Sequence, residues 1–334
     1  MTSATHAAPG SAPPAAASGR LGARAEILAF LVMAGLLAGL PLTGLIYPYF
    51  LMQALCFAIF ACAFNLLIGY VGLLSFGHAM FLGTGGYIAA HSAKVWGFPP
   101  ELAILAGLLA AGAIGTLVGL LAIRRQGIYF AMTTLALSQM VYFVYLQAPF
   151  THGEDGIQSV PQGRLFGLFD LSQQQTFYYV VLAVFLIAFL LIRRIVNSPF
   201  GDILKAIREN EPRAISLGYR TERYKLMAFV LSATLAGLAG SVKALVAQNA
   251  SLTDVHWTMS GEVVLMCLVG GLGTIFGPVI GAVVIIAMQQ YLAGFGQWVL
   301  VIQGVIFIAC VLAFRRGIVG EIIAFAQWRG AEKR

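Results

Sequence analysis

LAILAGLLAAGAIGTLVGLLAI, residues 102–123, carries no charge along its whole length and stops at Arg124 and Arg125. As a helix rising 1.5 Å per residue it reaches about 33 Å, enough to cross a hydrocarbon core roughly 30 Å thick. A lipid environment offers the backbone no water, so only a structure that satisfies its own N–H and C=O groups can stand there, and a helix does so. Windows of the same kind recur near 26–46, 48–69, 128–148, 176–195, 224–247, 276–293 and 297–314. Two further stretches, 71–92 and 259–274, are apolar but interrupted by Gly-Gly pairs, and each counts as a span or a re-entrant pair. The reading is an all-α polytopic membrane helix bundle of about ten spans, including Gly-interrupted segments.

Composition supports that frame. The 334 residues are 60% hydrophobic and 10% charged, with a mean hydropathy of +0.87, too few polar groups to cover a soluble globule of this size. The 38 glycines and 12 prolines lie inside the apolar stretches, which suits close helix contacts and broken helices. Cys56, Cys62, Cys267 and Cys310 lie in apolar segments without metal or disulfide spacing and read as small buried hydrophobes. Residues 1–25, rich in Ala, Pro, Ser and Gly, read as a disordered cytoplasmic tail rather than a signal peptide, 26–316 as the membrane domain and 317–334 as a second tail.

The basic pI of about 9.4 does not mean nucleic acid, because the basic residues form no groove-binding patch. They follow the positive-inside pattern instead. Ten spans place Arg20, Arg24, Arg124, Arg125, Arg193, Arg194, Lys205, Arg208, Arg213, Arg220, Arg223, Lys225, Arg315, Arg316, Arg329, Lys333 and Arg334 on one side. Only Lys94 and Arg164 fall outside, with Lys243 near an outer helix end. Both termini are then expected in the cytoplasm.

The segment NSPFGDILKAIRENEPRAISLGYRTERYK, 197–225, is too patterned for a connector and encodes two short helices. Ser198 is placed to cap the first, with Pro199 at its first position and Asp202 at the positive end of the dipole. Phe200, Ile203, Leu204 and Ile207 make an apolar stripe while Lys205, Arg208 and Glu209 face elsewhere. Pro212 opens the second helix and Gly218 closes it. The stripe must lie against lipid headgroups, the chain's own bundle or another protein.

SPFGDILKAIRENEPRAISLGYRTERYKLMAFVLSATLAGLAGS, 198–241, resembles the cytoplasmic coupling loop and following helix of permease subunits of branched-chain amino acid ABC transporters. NLLIGYVGLLSFGHAMFLGTGGYIAA (65–90), GEVVLMCLVGGLGTIFGPVIGA (261–282), GIYFAMTTLALSQM (127–140) and GEDGI (153–157) extend the resemblance over roughly 45–320. It implies a bacterial inner-membrane subunit that pairs with a second permease subunit as a heterodimer, carries two cytoplasmic ATPase subunits on its coupling loops, and receives solute from a periplasmic binding protein. It also implies ATP and Mg on the partner ATPases only; the chain has no GxxxxGK[ST] phosphate loop. The coupling residues expected are Ser198, Phe200, Gly201, Ile203, Leu204, Ile207 and Gly218, with Arg208, Glu209, Glu211 and Arg213 as orienting charges. Leucine, isoleucine or valine is the solute implied first; relatives carry other amino acids, urea and small carboxylates. In THGEDGI, 151–157, His152 departs from the family's commoner Thr-Gly-Gly.

Candidates for the solute path come from the two Gly-rich breaks and their neighbours, where irregular backbone can line a cavity. These are Asn65, Ser75, His78 and Tyr87, then Thr134, Ser138 and Tyr142 on one face of the 128–148 helix with Tyr145, and Glu262, an acid inside a segment where charge is costly. Each has a bland alternative. Polar side chains join membrane helices by hydrogen bonds, and Glu262 lies close enough to Trp257 to reach the surface. Ser232, Ala236 and Gly240, four apart, read as a packing seam. A secondary transporter would bury more ionisable groups than Glu262, and an enzyme would need a nucleophile, base or metal set; no HExxH or GxSxG occurs, and no catalytic, cofactor or metal residue is expected.

Overall fold

The computed structural model describes residues 23–44, 47–167, 169–313 and 317–321. Parts of the two expected tails, 1–22 and 322–334, lie outside the described residues, as do Arg315 and Arg316. In chain order the helices are α1 (Ala23–Gly39), α2 (Pro48–Asn65), α3 (His78–Lys94), α4 (Pro100–Ala122), α5 (Ile128–Gln147), α6 (Gln174–Val196), α7 (Pro199–Glu209), α8 (Glu211–Ser216), α9 (Thr221–Ala247), α10 (Trp257–Gly270), α11 (Gly277–Leu292) and α12 (Val299–Ala313). Each of the ten apolar segments becomes a helix, and the two short helices fall at 199–216. Among the described residues strand is confined to two pairs: β1 (Ile157–Gln158) with β4 (Asn249–Ala250), and β2 (Arg164–Leu165) with β3 (Phe169–Asp170), both antiparallel.

Length divides the ten. Pro48–Val71, α4, α5, α6 and α9, at 20 to 27 residues, are long and apolar enough to cross a membrane. By contrast α10, with 14 residues, rises only about 21 Å. Its partner α11 is nearly as short, and the two form a hairpin around the Gly-rich turn 271–276. Glycine permits the fold there: Gly271 and Gly273 have positive φ, and a Cβ on Gly270 would meet the backbone of Gly277.

The centre of the bundle is α2, whose best window is 94% buried, against 28% for α4 and α5. A helix apolar all round belongs inside, and α2 is packed by α6, α9, α10 and α11. Beside it, α3 is clasped by α4 and α9. The α3–α9 seam is closed by glycines: a Cβ on Gly85 would run into the backbone of Gly237, and one on Gly240 into the carbonyl of Leu82. Ala236 and Ser232 of the expected packing row are fully buried in the same seam.

The two ends differ in chemistry. Around the strand pairs lie Lys94, bonded to the Gln158 carbonyl, and Lys243, paired with Asp254. The opposite end carries α7, α8 and the turn after α4. Glu26 of α1 meets Arg193 of α6 at this end, 3.7 Å away.

Candidate functional site

Two Gly-rich breaks interrupt the helices of the bundle, and the fold brings them together. After Asn65 the α2 helix loosens into a π-helical turn, Leu66–Val71, and ends at left-handed Gly72 (φ 81°). The chain re-enters a helix at His78. π-turns of this kind concentrate at functional sites. The second break is the turn between α10 and α11. Asn65 joins them: its Nδ2 donates to the Thr274 carbonyl at 2.9 Å, and its Oδ1 accepts from the Gly273 N–H at 3.0 Å. Gly69 backs onto the same turn, where a Cβ would lie 2.8 Å from the Gly273 nitrogen.

From this junction a column of buried polar groups runs along α3. Ser75 accepts from the Gly77 N–H. The His78 ring, among Phe64, Phe81 and Phe229, has its Nε2 2.8 Å from the Ser232 hydroxyl, which bonds in turn to the Ala63 carbonyl. Because Ser232 donates to Ala63, His78 is the donor to Ser232. Ser260 accepts from the Ala79 N–H at 2.9 Å. Further along, Tyr145 donates to Thr84 at 3.0 Å and stacks on Tyr87, with ring centroids 5.0 Å apart. Three atoms in or beside the column, His78 Nδ1, Tyr87 OH and Ser138 Oγ, are buried with no hydrogen-bond partner among the described residues.

The α5 face expected from the sequence does turn inward: Thr134 and Ser138 are fully buried, Tyr145 nearly so, and Tyr142 is half-buried against His256. Thr134 spends its hydroxyl on its own helix, at the Ala131 carbonyl. Glu262 neither stands alone nor reaches the surface freely; it is half-buried and accepts from Gln289 of α11 at 3.0 Å. Asn65, Ser75, His78 and Tyr87 therefore share one column with Thr134, Ser138 and Tyr142 beside it, while Glu262 belongs to the α10–α11 hairpin.

The short helices sit beside the first break. Ser198 caps α7, accepting from the Gly201 N–H and donating to the Ile195 carbonyl at 2.7 Å. The apolar stripe is not turned outward: Gly201, Leu204 and Ile207 are buried against α6, α9 and the π-turn, Ile203 is half-buried, and Phe200 packs on Tyr224. Leu204 and Ile207, expected among the docking residues, are thus buried in the chain's own bundle. The stripe had three possible neighbours, and the bundle is the one it took. The charges divide as well. Lys205 donates to the Val196 carbonyl, Glu211 bonds Thr221 at 3.1 Å and Lys225 at 2.5 Å, and Arg208 reaches the Gly69 carbonyl. Arg208 nonetheless remains exposed, as do Glu209 and Arg213, with exposed Ile215, Leu217 and Tyr219 around the positive-φ turn at Gly218.

Sequence reading missed several members of the site. Asn210 caps α8 by accepting from the Arg213 N–H, a role signalled by Asn placed just before Glu211-Pro212. Gln289 was a visible amide in an apolar helix. Ser260 carries no spacing that marks it, and its partner, the Ala79 N–H, lies 181 residues away in sequence.

Comparison with known proteins agrees over most of the chain. Residues 46–311 match the family described as branched-chain amino acid transport system / permease component. The high-affinity branched-chain amino acid transport system permease protein LivM of Escherichia coli (strain K12) is 28% identical over 272 residues, 74% of this chain and 64% of that protein. LivM of Salmonella typhimurium is 28% identical over 276 residues, 75% of this chain and 65% of that protein. The chain thus spans just under two thirds of the length of both. The ribose import permease protein RbsC of Bacillus subtilis is 29% identical over 273 residues, 73% of this chain and 81% of that protein. No solved structure matches.

Proposed function

The chain belongs to the family of permease components of branched-chain amino acid transport systems, and from that premise we propose that it is the membrane subunit of an ATP-driven ABC importer for branched-chain amino acids. It pairs with a second permease subunit, receives solute from a periplasmic binding protein, and leaves ATP and Mg to two ATPase subunits in the cytoplasm. The end bearing α7 and α8 faces the cytoplasm, since Arg124, Arg125, Arg193, Arg194, Arg213, Arg220 and Arg223 gather there and basic loops stay inside. No group on this chain performs the hydrolysis.

The observation that carries the reading is the α7–α8 pair. Its inner face is packed on the bundle at the junction of the two breaks, and its outer face offers Ile215 (54% exposed), Leu217 (70%) and Tyr219 (41%) flanked by Glu209 and Arg213. An exposed apolar cluster rimmed by charge is the composition of a protein-docking surface. Docking is assigned to this face in place of the buried Leu204 and Ile207. The solute path follows the column from Asn65 to Tyr87, where His78 Nδ1 and the Tyr87 hydroxyl, with Ser138 Oγ beside them, have no partner among the described residues and are suited to exchange hydrogen bonds with a passing polar solute.

The test is uptake into proteoliposomes holding this chain with the second permease and ATPases encoded beside it, supplied with the neighbouring binding protein. ATP-dependent uptake of leucine, isoleucine or valine is expected. The likeness to the ribose permease supplies a second reading, a sugar; uptake of ribose but of none of the three amino acids would replace the first. In the same assay Leu217→Asp is expected to strip the ATPases from the purified complex while the permease still inserts.

A further inference from the structure

The structure assigns to Arg208 the task of holding α7 to both broken segments at once, so that a displacement of α7 is delivered to the junction of the breaks through the Gly69 carbonyl. This rests on the coupling role proposed above for α7 and α8.

The first support is the state of the carbonyl. Gly69 lies in the last turn of a helix running from Pro48 to Val71, where carbonyls have no donor further along. The nearest candidates do not serve it, because the N–H groups of both Gly72 and Leu73 go to Leu67, at 3.0 and 3.3 Å. The guanidinium of Arg208 fills that vacancy from a different helix. It is also the right charge for the place, since the carbonyl end of a helix dipole is negative and favours a cation within the last turn.

The second support is the seat. A Cβ on Gly72 would stand 3.1 Å from Arg208 Cγ, and a Cβ on Gly273 would stand 3.2 Å from Arg208 Nη1. Side chains at either position would crowd the arginine. The guanidinium therefore lies where the first break, the second break and α7 converge, with Asn65 binding the two breaks together beside it. Lys205, the neighbouring cation on α7, bonds the Val196 carbonyl at the end of α6 and the Asp202 carboxylate, and lies over the Tyr70 ring of the first break, 6.0 Å from its centroid. Arg208 is the charged side chain of α7 that reaches across to both breaks.

A positioning role of this kind separates hydrolysis from transport. Arg208→Met keeps the stem and removes every donor; Arg208→Gln keeps a donor that is too short to reach Gly69, and carries the same expectations should the Met variant not insert. In the reconstituted complex either variant is expected to retain its ATPase subunits and to hydrolyse ATP, while solute imported per ATP falls about tenfold, the size of an ordinary site-to-site coupling. Arg208→Lys restores a long donor and should recover part of that ratio. An unchanged ratio overturns the inference, and so does loss of the ATPases from the complex, which would make Arg208 a docking residue. A wild-type complex that recruits no ATPase would instead refute the functional reading itself. Hydrogen exchange on the permease alone supplies a readout free of any partner: amides of 66–73 and 270–277 are expected to exchange about tenfold faster in Arg208→Met, with α3 and α9 unchanged. Equal exchange in both segments would also overturn it.

Discussion

The α3–α9 seam and the junction of the two breaks are both built on glycine, and they use it in opposite ways. In the seam, Gly85, Gly237 and Gly240 bring two helical backbones into contact along several turns, and the glycines themselves are helical. At the junction, Gly72, Gly271 and Gly273 take positive φ, the helices stop, and contact is made by a few hydrogen bonds from Asn65 and Arg208. Close packing over a long face cannot be loosened piecemeal, because each missing atom removes many small attractions. A few directional bonds between helix ends can break and re-form singly. The seam is thus the part of the molecule fitted to stay fixed, and the junction the part fitted to move.

Gly240 is the tightest point of the seam. A valine there places its Cβ against the Leu82 carbonyl, a backbone atom with no rotamer to escape into. The cost is expected to exceed about 3 kcal/mol, the upper range of overpacking, since both helices must separate. Thermal unfolding of the purified protein in detergent measures it, and failure to accumulate in the membrane is the extreme form. A Gly240→Val protein as stable as the parent would mean the seam is slack, and the distinction drawn here would fall.

Asn65→Leu attacks the junction instead. It deletes two hydrogen bonds and leaves the Gly273 N–H and Thr274 carbonyl without this partner, for about 2 kcal/mol. The expected result is a folded bundle with a normal seam and little transport. If Asn65→Leu unfolds the protein as Gly240→Val does, the junction is a structural keystone rather than a moving part.

How far the sequence announced this contrast depends on which interactions are periodic. The seam was legible, because Ser232, Ala236 and Gly240 repeat every four residues and small residues at that spacing mean close helices. The two breaks were legible only in part from the Gly-rich stretches 72–86 and 270–281, since the breaks occupy 66–77 and 271–276 while Gly83, Gly85, Gly86 and Gly281 lie inside helices α3 and α11. Their meeting was not, since Asn65 and Thr274 stand 209 residues apart and no local pattern couples them. The α7 stripe shows the same limit. Its period fixed which residues share a face but not what covers that face, and the bundle covered it. Arg208 was set among the outward charges because a periodicity of apolar residues assigns every cation to the wet side. Arg208 is indeed exposed, but its bond to the Gly69 carbonyl was not legible, because the unsatisfied helix end that draws it belongs to another segment.

At the border of the two regions stands His78, where a smaller effect is expected. Ser232→Ala removes the hydroxyl that accepts from His78 Nε2 and donates to the Ala63 carbonyl. Side-chain hydrogen bonds between membrane helices average about 0.6 kcal/mol, and a stranded ring N–H adds to that, so a loss of about 1 kcal/mol is expected in unfolding. Because the α3–α9 glycine contacts are untouched, exchange should quicken around 76–80 and not at 82–90. Faster exchange throughout α3 would show that the seam depends on polar bonds after all.

The smallest effect belongs to Ser198, which governs α7 without touching either region. Its hydroxyl accepts from the Gly201 N–H at 3.4 Å, a long bond, so Ser198→Ala should cost about 0.5 kcal/mol, the lower end of N-cap losses. That is too little to lower global stability appreciably in a bundle of this size. What it should do is raise exchange in the first turn of α7 while Arg208, on the last turn, keeps its hold on Gly69. Import per ATP would then stay near the parental value, in contrast to the Arg208 variants. A Ser198→Ala protein that uncoupled as strongly as Arg208→Met would place the transmitting contact at the start of α7, where the helix leaves α6, and not at the arginine that reaches the breaks.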